Sequence, residues 1–167
     1  VEIGDDAVAD AIQKARPGVP VITPPDAAIA AFSALGINRI ALVTPYLVET
    51  TEPMAAYFAW RGLEIVSAQC LGLSDDRDMA RVSGFSILEA VQAADRPEAD
   101  GVFLSCTALP ALAVIDAIEE RIGKPVVSSN QASFSRLPRI AGLSPLPTAP
   151  GPRLRLSSYH RTTLPTI

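Results

Sequence analysis

Apolar residues fall into two alternating rhythms along this chain. Between Asp5 and Arg16, Val8, Ile12 and Ala15 recur at helical spacing. The same spacing runs through PPDAAIAAFSAL, which has prolines where a helix start tolerates them and Gly36 just past its end. Further helices are predicted over Val48–Arg61, closed by Gly62, and over Phe85–Ala93. Two more are predicted over Pro110–Arg121, closed by Gly123, and from Gln131 to Leu137. Short, mainly apolar segments lie between them, at Val19–Ile22, Ile40–Val43, Leu63–Ala68, Gly101–Leu104 and Pro125–Val127, most of them continuous apolar runs. Unbroken apolar runs of this length fit strands covered on both faces. Strands alternating with helices predict an α/β fold, a parallel-sheet domain of Rossmann-like or flavodoxin-like type with helices on both sides.

The ends depart from this order. No strand precedes the first helix, so residues 1–35 read as the remnant of an amino-terminal α/β lobe, with exposed apolar surface that invites self-association. Residues 36–142 read as the cysteine-bearing α/β domain. Residues 143–167, rich in proline, serine and threonine, read as a disordered tail, and the single histidine, His160, lies there.

Composition narrows the function classes. Of 167 residues, 49% are hydrophobic and 19% charged, which suits a globular domain with a sizeable core. The net charge of -4 and the lack of a basic run argue against a nucleic-acid partner. No apolar stretch approaches membrane-spanning length, and the polar, acidic opening VEIGDDAVAD does not read as a leader, so no membrane partner is expected. Two cysteines and one histidine cannot form a usual zinc cluster, so no metal is expected. So few cysteines suggest a reducing, cytoplasmic setting.

Candidate chemistry collects at strand ends. In parallel α/β sheets, ligands bind beyond the carboxyl ends of the strands. Three polar segments fall there: Thr44–Tyr46, Ser105–Thr107 and Ser128–Gln131. Each precedes a predicted helix, which would aim backbone N–H groups at one crevice and suit a carboxylate. A thiol at a helix start holds more thiolate at neutral pH, so Cys106 is a candidate acid/base. The competing use of a lone cysteine is as a small buried hydrophobe, and that reading is preferred for Cys70. Helix capping is the competing use of Thr44, Tyr46 and Asn130, and Tyr57 and Trp60 read as helix packing.

The segment VFLSCTALPALAVIDAIEERIGKPVVSSNQA resembles the second cysteine motif of the aspartate/glutamate racemase superfamily. It resembles more narrowly the branch of maleate cis-trans isomerase, arylmalonate decarboxylase and the ectoine-utilisation protein EutA. ALVTPYLVETTEPMAAYFAWRGLEI and LGLSDDRDMARV are also similar to that branch, most of all to EutA. The resemblance covers roughly residues 1 to 142. It implies two pseudo-symmetric α/β lobes around a cofactor-free site. It makes Cys106 the catalytic cysteine of the second half, as thiol acid/base or nucleophile. Thr44 and Tyr46 would line a carboxylate pocket, Ser105 and the Thr107 backbone would bind substrate, and Asn130 and Gln131 would support the site.

Departures from the branch shape the expectation further. The first cysteine motif would lie before Val1. Asp76 stands where the isomerases carry asparagine; its charge would repel a dicarboxylate and suit a substrate with an ammonium or amidinium group, such as an ectoine-derived amino acid. Pro138 interrupts what should be a continuing helix. Two readings follow. One is a cofactor-independent racemase, isomerase or decarboxylase acting on a small carboxylate or amino acid, as a homo-oligomer and in ectoine catabolism. The other is a truncated, catalytically silent domain that binds a small carboxylate or only self-associates.

Overall fold

The protein is described here by a computed structural model covering residues 5–142. Its elements run α1 (Asp5–Ala15), α2 (Pro24–Leu35), β1 (Arg39–Thr44), α3 (Val48–Trp60), β2 (Glu64–Cys70) and α4 (Asp76–Met79). They continue with α5 (Gly84–Ala94), β3 (Gly101–Leu104), a 3-10 turn (Ala111–Ala113), α6 (Ile115–Ile122), β4 (Val126–Ser128) and α7 (Ser129–Ile140). The four strands form one parallel sheet in the order β2-β1-β3-β4. This is the α/β architecture expected from the alternating pattern, with the strands at Ile40, Ile65, Val102 and Val126 all in it.

Side-chain alternation along the strands divides the core in two. Ala41, Val43, Val102, Leu104 and Val126 point to the side covered by α5 and α6, where Ile87, Val91, Ile115 and Ile118 are buried. Ile40, Leu42, Phe103 and Val127 point to the opposite side, against Ala28, Ala31 and Phe32 of α2, Phe58 of α3 and Ala132 of α7. Phe103 anchors that second layer, meeting Phe32 and Phe58 edge-on at centroid distances of 5.4 and 5.2 Å. Edge-to-face pairs of this kind add about 0.5–1.5 kcal/mol beyond the area they bury. The layer also fixes α2, which packs chiefly against α7. On α1, Val8 and Ile12 remain exposed.

Three expectations are corrected. Val19–Ile22 forms no strand; Pro17 and Pro20 lack N–H groups, and the segment runs instead as an extended approach to the cap of α2. There Thr23 Oγ1 accepts from the Asp26 N–H at 3.4 Å, and Gly36 ends the helix in the left-handed conformation at φ 68°. Pro110–Arg121 is not one helix, because the chain makes the 3-10 turn first and α6 begins only at Ile115. The last helix starts at Ser129 rather than Gln131 and continues through Pro138 to Ile140. Proline deprives the Phe134 carbonyl of its partner only near the helix end, and the ladder resumes with the Ala141 N–H donating to Leu137 O at 3.0 Å. The expected tail at 143–167, with His160, lies outside the described residues.

Candidate active site

The ends of β1, β3 and β4 meet as the parallel sheet requires. Ser105 extends β3, its N–H donating to Val43 O at 2.9 Å, which places Cys106 beside the segment following β1. The Cys106 N–H donates to Ser129 Oγ at 3.3 Å, joining the end of β3 to the first residue of α7. Cys106 Sγ accepts from the Ala108 N–H at 3.3 Å and lies 4.0 Å from Met79 Sδ. The residue is only 5% exposed.

Tyr46 packs against the core cluster that holds Cys106 and interacts with its thiol. Burial raises its phenol pKa above the ordinary value of 10.0, and interaction with Cys106 and the charge of Asp76 push the same way. The hydroxyl is therefore a protonated donor at neutral pH. Asp76 itself is exposed, at the start of α4, close enough for its charge to act on Tyr46.

A pocket of about 230 Å³ opens here. Its polar end is made by Tyr46, Ser105, Cys106, Thr107 and Ser129. Its apolar end is made by Pro24 and Pro25 of α2, Met54, Tyr57 and Phe58 of α3, and Phe103. The Ser105 hydroxyl and the Thr107 N–H make no hydrogen bond within the described residues, so both are available to a ligand. The positive end of α7 adds to the attraction for an anion.

The remaining expected residues stand behind the pocket rather than in its lining. Thr44 is fully buried, its hydroxyl 2.6 Å from Thr51 Oγ1, which ties the end of β1 to α3. Asn130 Nδ2 donates to Thr107 O at 2.9 Å and so fixes the loop that carries the free Thr107 N–H. Gln131 is buried and closes the β4–α7 junction, its N–H donating to Ser128 Oγ at 3.2 Å while its Oε1 accepts from the Ser128 N–H at 3.3 Å. The helix-start argument for Cys106 also changes: α6 begins nine residues beyond it, and the helix it abuts is α7.

Sequence reasoning passed over Ser129, although it lies inside the polar segment at the end of β4. It also placed Tyr57 in packing, whereas the ring lines the pocket; Trp60, its neighbour one turn on, is 74% exposed. The available signal for Tyr57 was its place one helical turn after Met54, on the helix that directly follows the TPY segment. Among the described residues, no group of three or more His, Cys, Asp or Glu side chains could hold a metal, and no helix is long and apolar enough to cross a membrane.

The family model of arylmalonate decarboxylase matches residues 5–154, taking in every element of this site. The chain belongs to the arylmalonate decarboxylase family. It is 37% identical over 129 residues to arylmalonate decarboxylase of Bordetella bronchiseptica, covering 75% of this chain and 53% of that protein. It is 32% identical over 119 residues to maleate isomerase of Geobacillus stearothermophilus, covering 71% and 47%. The chain thus spans about half the length of these curated relatives. Among solved structures, a liganded mutant of arylmalonate decarboxylase superposes with a TM-score of 0.82 at 34% identity, covering 90% of this chain and 64% of that one. A mutant maleate cis-trans isomerase of Nocardia farcinica, with a covalently bound succinylcysteine intermediate, gives 0.81 at 26%, covering 90% and 62%.

Proposed function

We propose that the protein is a cofactor-independent enzyme acting at a carbon next to a carboxylate, with Cys106 as a thiol acid/base or nucleophile at that carbon. The observation that carries this reading is the setting of Cys106 Sγ. It lines a pocket that Ser105 and Thr107 line too, and the Ser105 hydroxyl and the Thr107 N–H, without hydrogen bonds among the described residues, are the kind of donors a carboxylate needs. Family membership supports the same class, since the relatives named above are a decarboxylase and an isomerase.

In a decarboxylation, the bond to the departing carboxylate breaks and leaves its electron pair on the α carbon, spread onto the remaining carboxylate. The Thr107 N–H and the Ser105 and Tyr46 hydroxyls would hold that growing charge, and the Cys106 thiol would deliver its proton to the carbon. The thiolate then recovers a proton from water. In a racemisation the same sulfur would remove or return the α proton; in a cis-trans isomerisation the thiolate would instead add to one alkene carbon, the π electron pair moving onto the neighbouring carbon and its carboxylate, and would leave again after rotation about the resulting single bond. A positioned acid/base group typically contributes ~10²–10⁴-fold to rate.

Asp76 supports a finer reading. Its charge acts on Tyr46 at the polar end, so a second substrate carboxylate is disfavoured there and an amino or amidinium group favoured. This suits an ectoine-derived amino acid. The two free cysteines, Cys70 and Cys106, suit the cytoplasm, and the exposed Val8 and Ile12 suit self-association.

The test is turnover by the natural protein containing this chain, on arylmalonates, maleate and ectoine-derived amino acids, followed by carbon dioxide release, conversion of the cis to the trans alkene, and α-proton exchange. Cys106→Ala should lower turnover by at least ~10²-fold with the fold intact. Undiminished turnover by Cys106→Ala would overturn the role of the thiol. Binding of small acids without turnover by the wild type would support the silent carboxylate-binding domain instead.

A further inference from the structure

The two walls of the apolar end of the pocket come from different helices. Pro24 and Pro25 open α2, and Tyr57 lies in the last turn of α3. Deep in the core these helices are joined through Phe103, which touches Phe32 on one side and Phe58 on the other. At the mouth, the tie is a side-chain bridge. Arg61, just past α3, donates through Nη2 to Asp26 Oδ1 at 2.8 Å and through Nη1 to the Tyr57 hydroxyl. Its guanidinium carbon also lies 5.5 Å from the centre of the Tyr57 ring.

Asp26 is placed for this by the start of α2. Its N–H is held by the capping Thr23 hydroxyl, and it directly follows the two prolines that form the opposite wall. With side-chain exposures of 26% for Arg61 and 36% for Asp26, the ion pair is too wet to contribute much to stability. Its consequence is geometric. A planar fork that reaches a carboxylate and a phenol together fixes the distance between them, which a flexible ammonium would not.

We propose that Tyr57 is a specificity-determining residue of this pocket, and that Asp26 and Arg61 are positioning residues that hold its ring and set how large an apolar substituent the pocket admits. The inference rests on the proposed function for the substrate carboxylate at the polar end, and adds what governs the other end of the same molecule. A substituent that fits must enter between the prolines and a ring that cannot turn aside. Release of the ring widens that gap without touching Cys106.

The experiment is calorimetric binding of two acids that differ in bulk, cyclohexylacetate and 1-adamantylacetate, to the full chain. Trp60, the single tryptophan, lies 6.2 Å from the Tyr57 ring and gives an independent fluorescence reading. The wild type should bind cyclohexylacetate and discriminate against the bulkier acid. Asp26→Asn, Arg61→Met and Tyr57→Phe should each narrow that discrimination by about fivefold, the worth of roughly one hydrogen bond. Tyr57→Phe keeps the ring and removes the hydroxyl that Arg61 holds, so it separates positioning from packing. A merely structural role would weaken both acids alike and lower the melting temperature. Unchanged discrimination in the three variants, equal weakening of both acids, or a wild type that binds neither acid would each overturn the inference. Loss of turnover is not part of this test, so a silent protein that still discriminates would overturn the proposed function and leave the clamp standing.

Discussion

The N–H of Cys106 donates to the hydroxyl of Ser129, 23 residues further along the chain. Both residues are buried, so this N–H depends chiefly on that hydroxyl. Ser129→Ala should therefore leave a buried donor unpaired and cost about 1–3 kcal/mol. Urea unfolding midpoints measure that loss. Because the same bond sets the direction in which Cys106 leaves β3, turnover by the natural enzyme should fall as well. A variant as stable and as active as wild type would show that the bond does not hold the sulfur in place.

The two thiols should differ in access. Cys106 is buried against Met79, whereas Cys70 at the end of β2 is half-buried. Sequence reasoning expected Cys106 at a helix start; the 3-10 turn and the late start of α6 remove that setting. Iodoacetamide should therefore modify Cys70 first, as peptide mass spectrometry would show, and a small acid bound in the pocket should slow Cys106 further. Faster labelling of Cys106 would mean that the pocket opens more readily than the structure implies.

Tyr46 gives a pH dependence with a definite sign. Its pKa is raised on folding, first by burial and then by Cys106 and Asp76. Below pH 10.0, the ordinary value, folded and unfolded chains both keep the proton and the full contribution is present. Above it the unfolded chain ionises while the folded one does not, so stability falls as pH rises. Tyr46→Phe should flatten that alkaline decline in urea midpoints. An equally steep decline in the variant would place its cause elsewhere.

Much of this was legible from apolar patterning. Ile40–Val43 and Gly101–Leu104 are covered on both faces, so they read as unbroken apolar runs, and the parallel sheet followed from their alternation with helices. Val19–Ile22 carries the same signal without becoming a strand, and Val19 and Pro20 stay exposed, because an apolar run by itself assures neither burial nor a partner strand alongside. The strand-end rule led to Ser105, Cys106 and Tyr46. It could not separate Thr44, which points inward to Thr51, from groups facing the pocket, because that depends on which way a side chain turns after its strand. Tyr57 and Ser129 were missed for a related reason. A pocket residue contributed by a helix face looks, in sequence, like any other packing residue.

Asp100 supplies the last test, away from the pocket. Its carboxylate stands just before β3 and spans to the start of β1. Oδ2 accepts from the N–H groups of Asn38 and Arg39 at 3.2 and 2.9 Å, and Oδ1 accepts from Arg39 Nε and Nη2 at 3.3 and 2.8 Å. These bonds set the register in which β1 and β3 begin pairing. The Arg39 guanidinium, helped by the two backbone donors against partial burial, holds the Asp100 carboxyl down at about 2, below the usual 3.8. A pKa lowered on folding contributes stability that is fully present above the unfolded value and is lost as pH falls through the folded one. The window is thus from about pH 4 down to about pH 2. Arg39 is 46% exposed, so solvent screens the pair, and Asp100→Asn should cost only about 1 kcal/mol at neutral pH. The sharper signature is that the variant loses less stability than wild type on acidification through that window, as urea midpoints at successive pH values would show. A parallel acid decline in both proteins would mean that Asp100 is not the group whose protonation loosens the junction of β1 and β3.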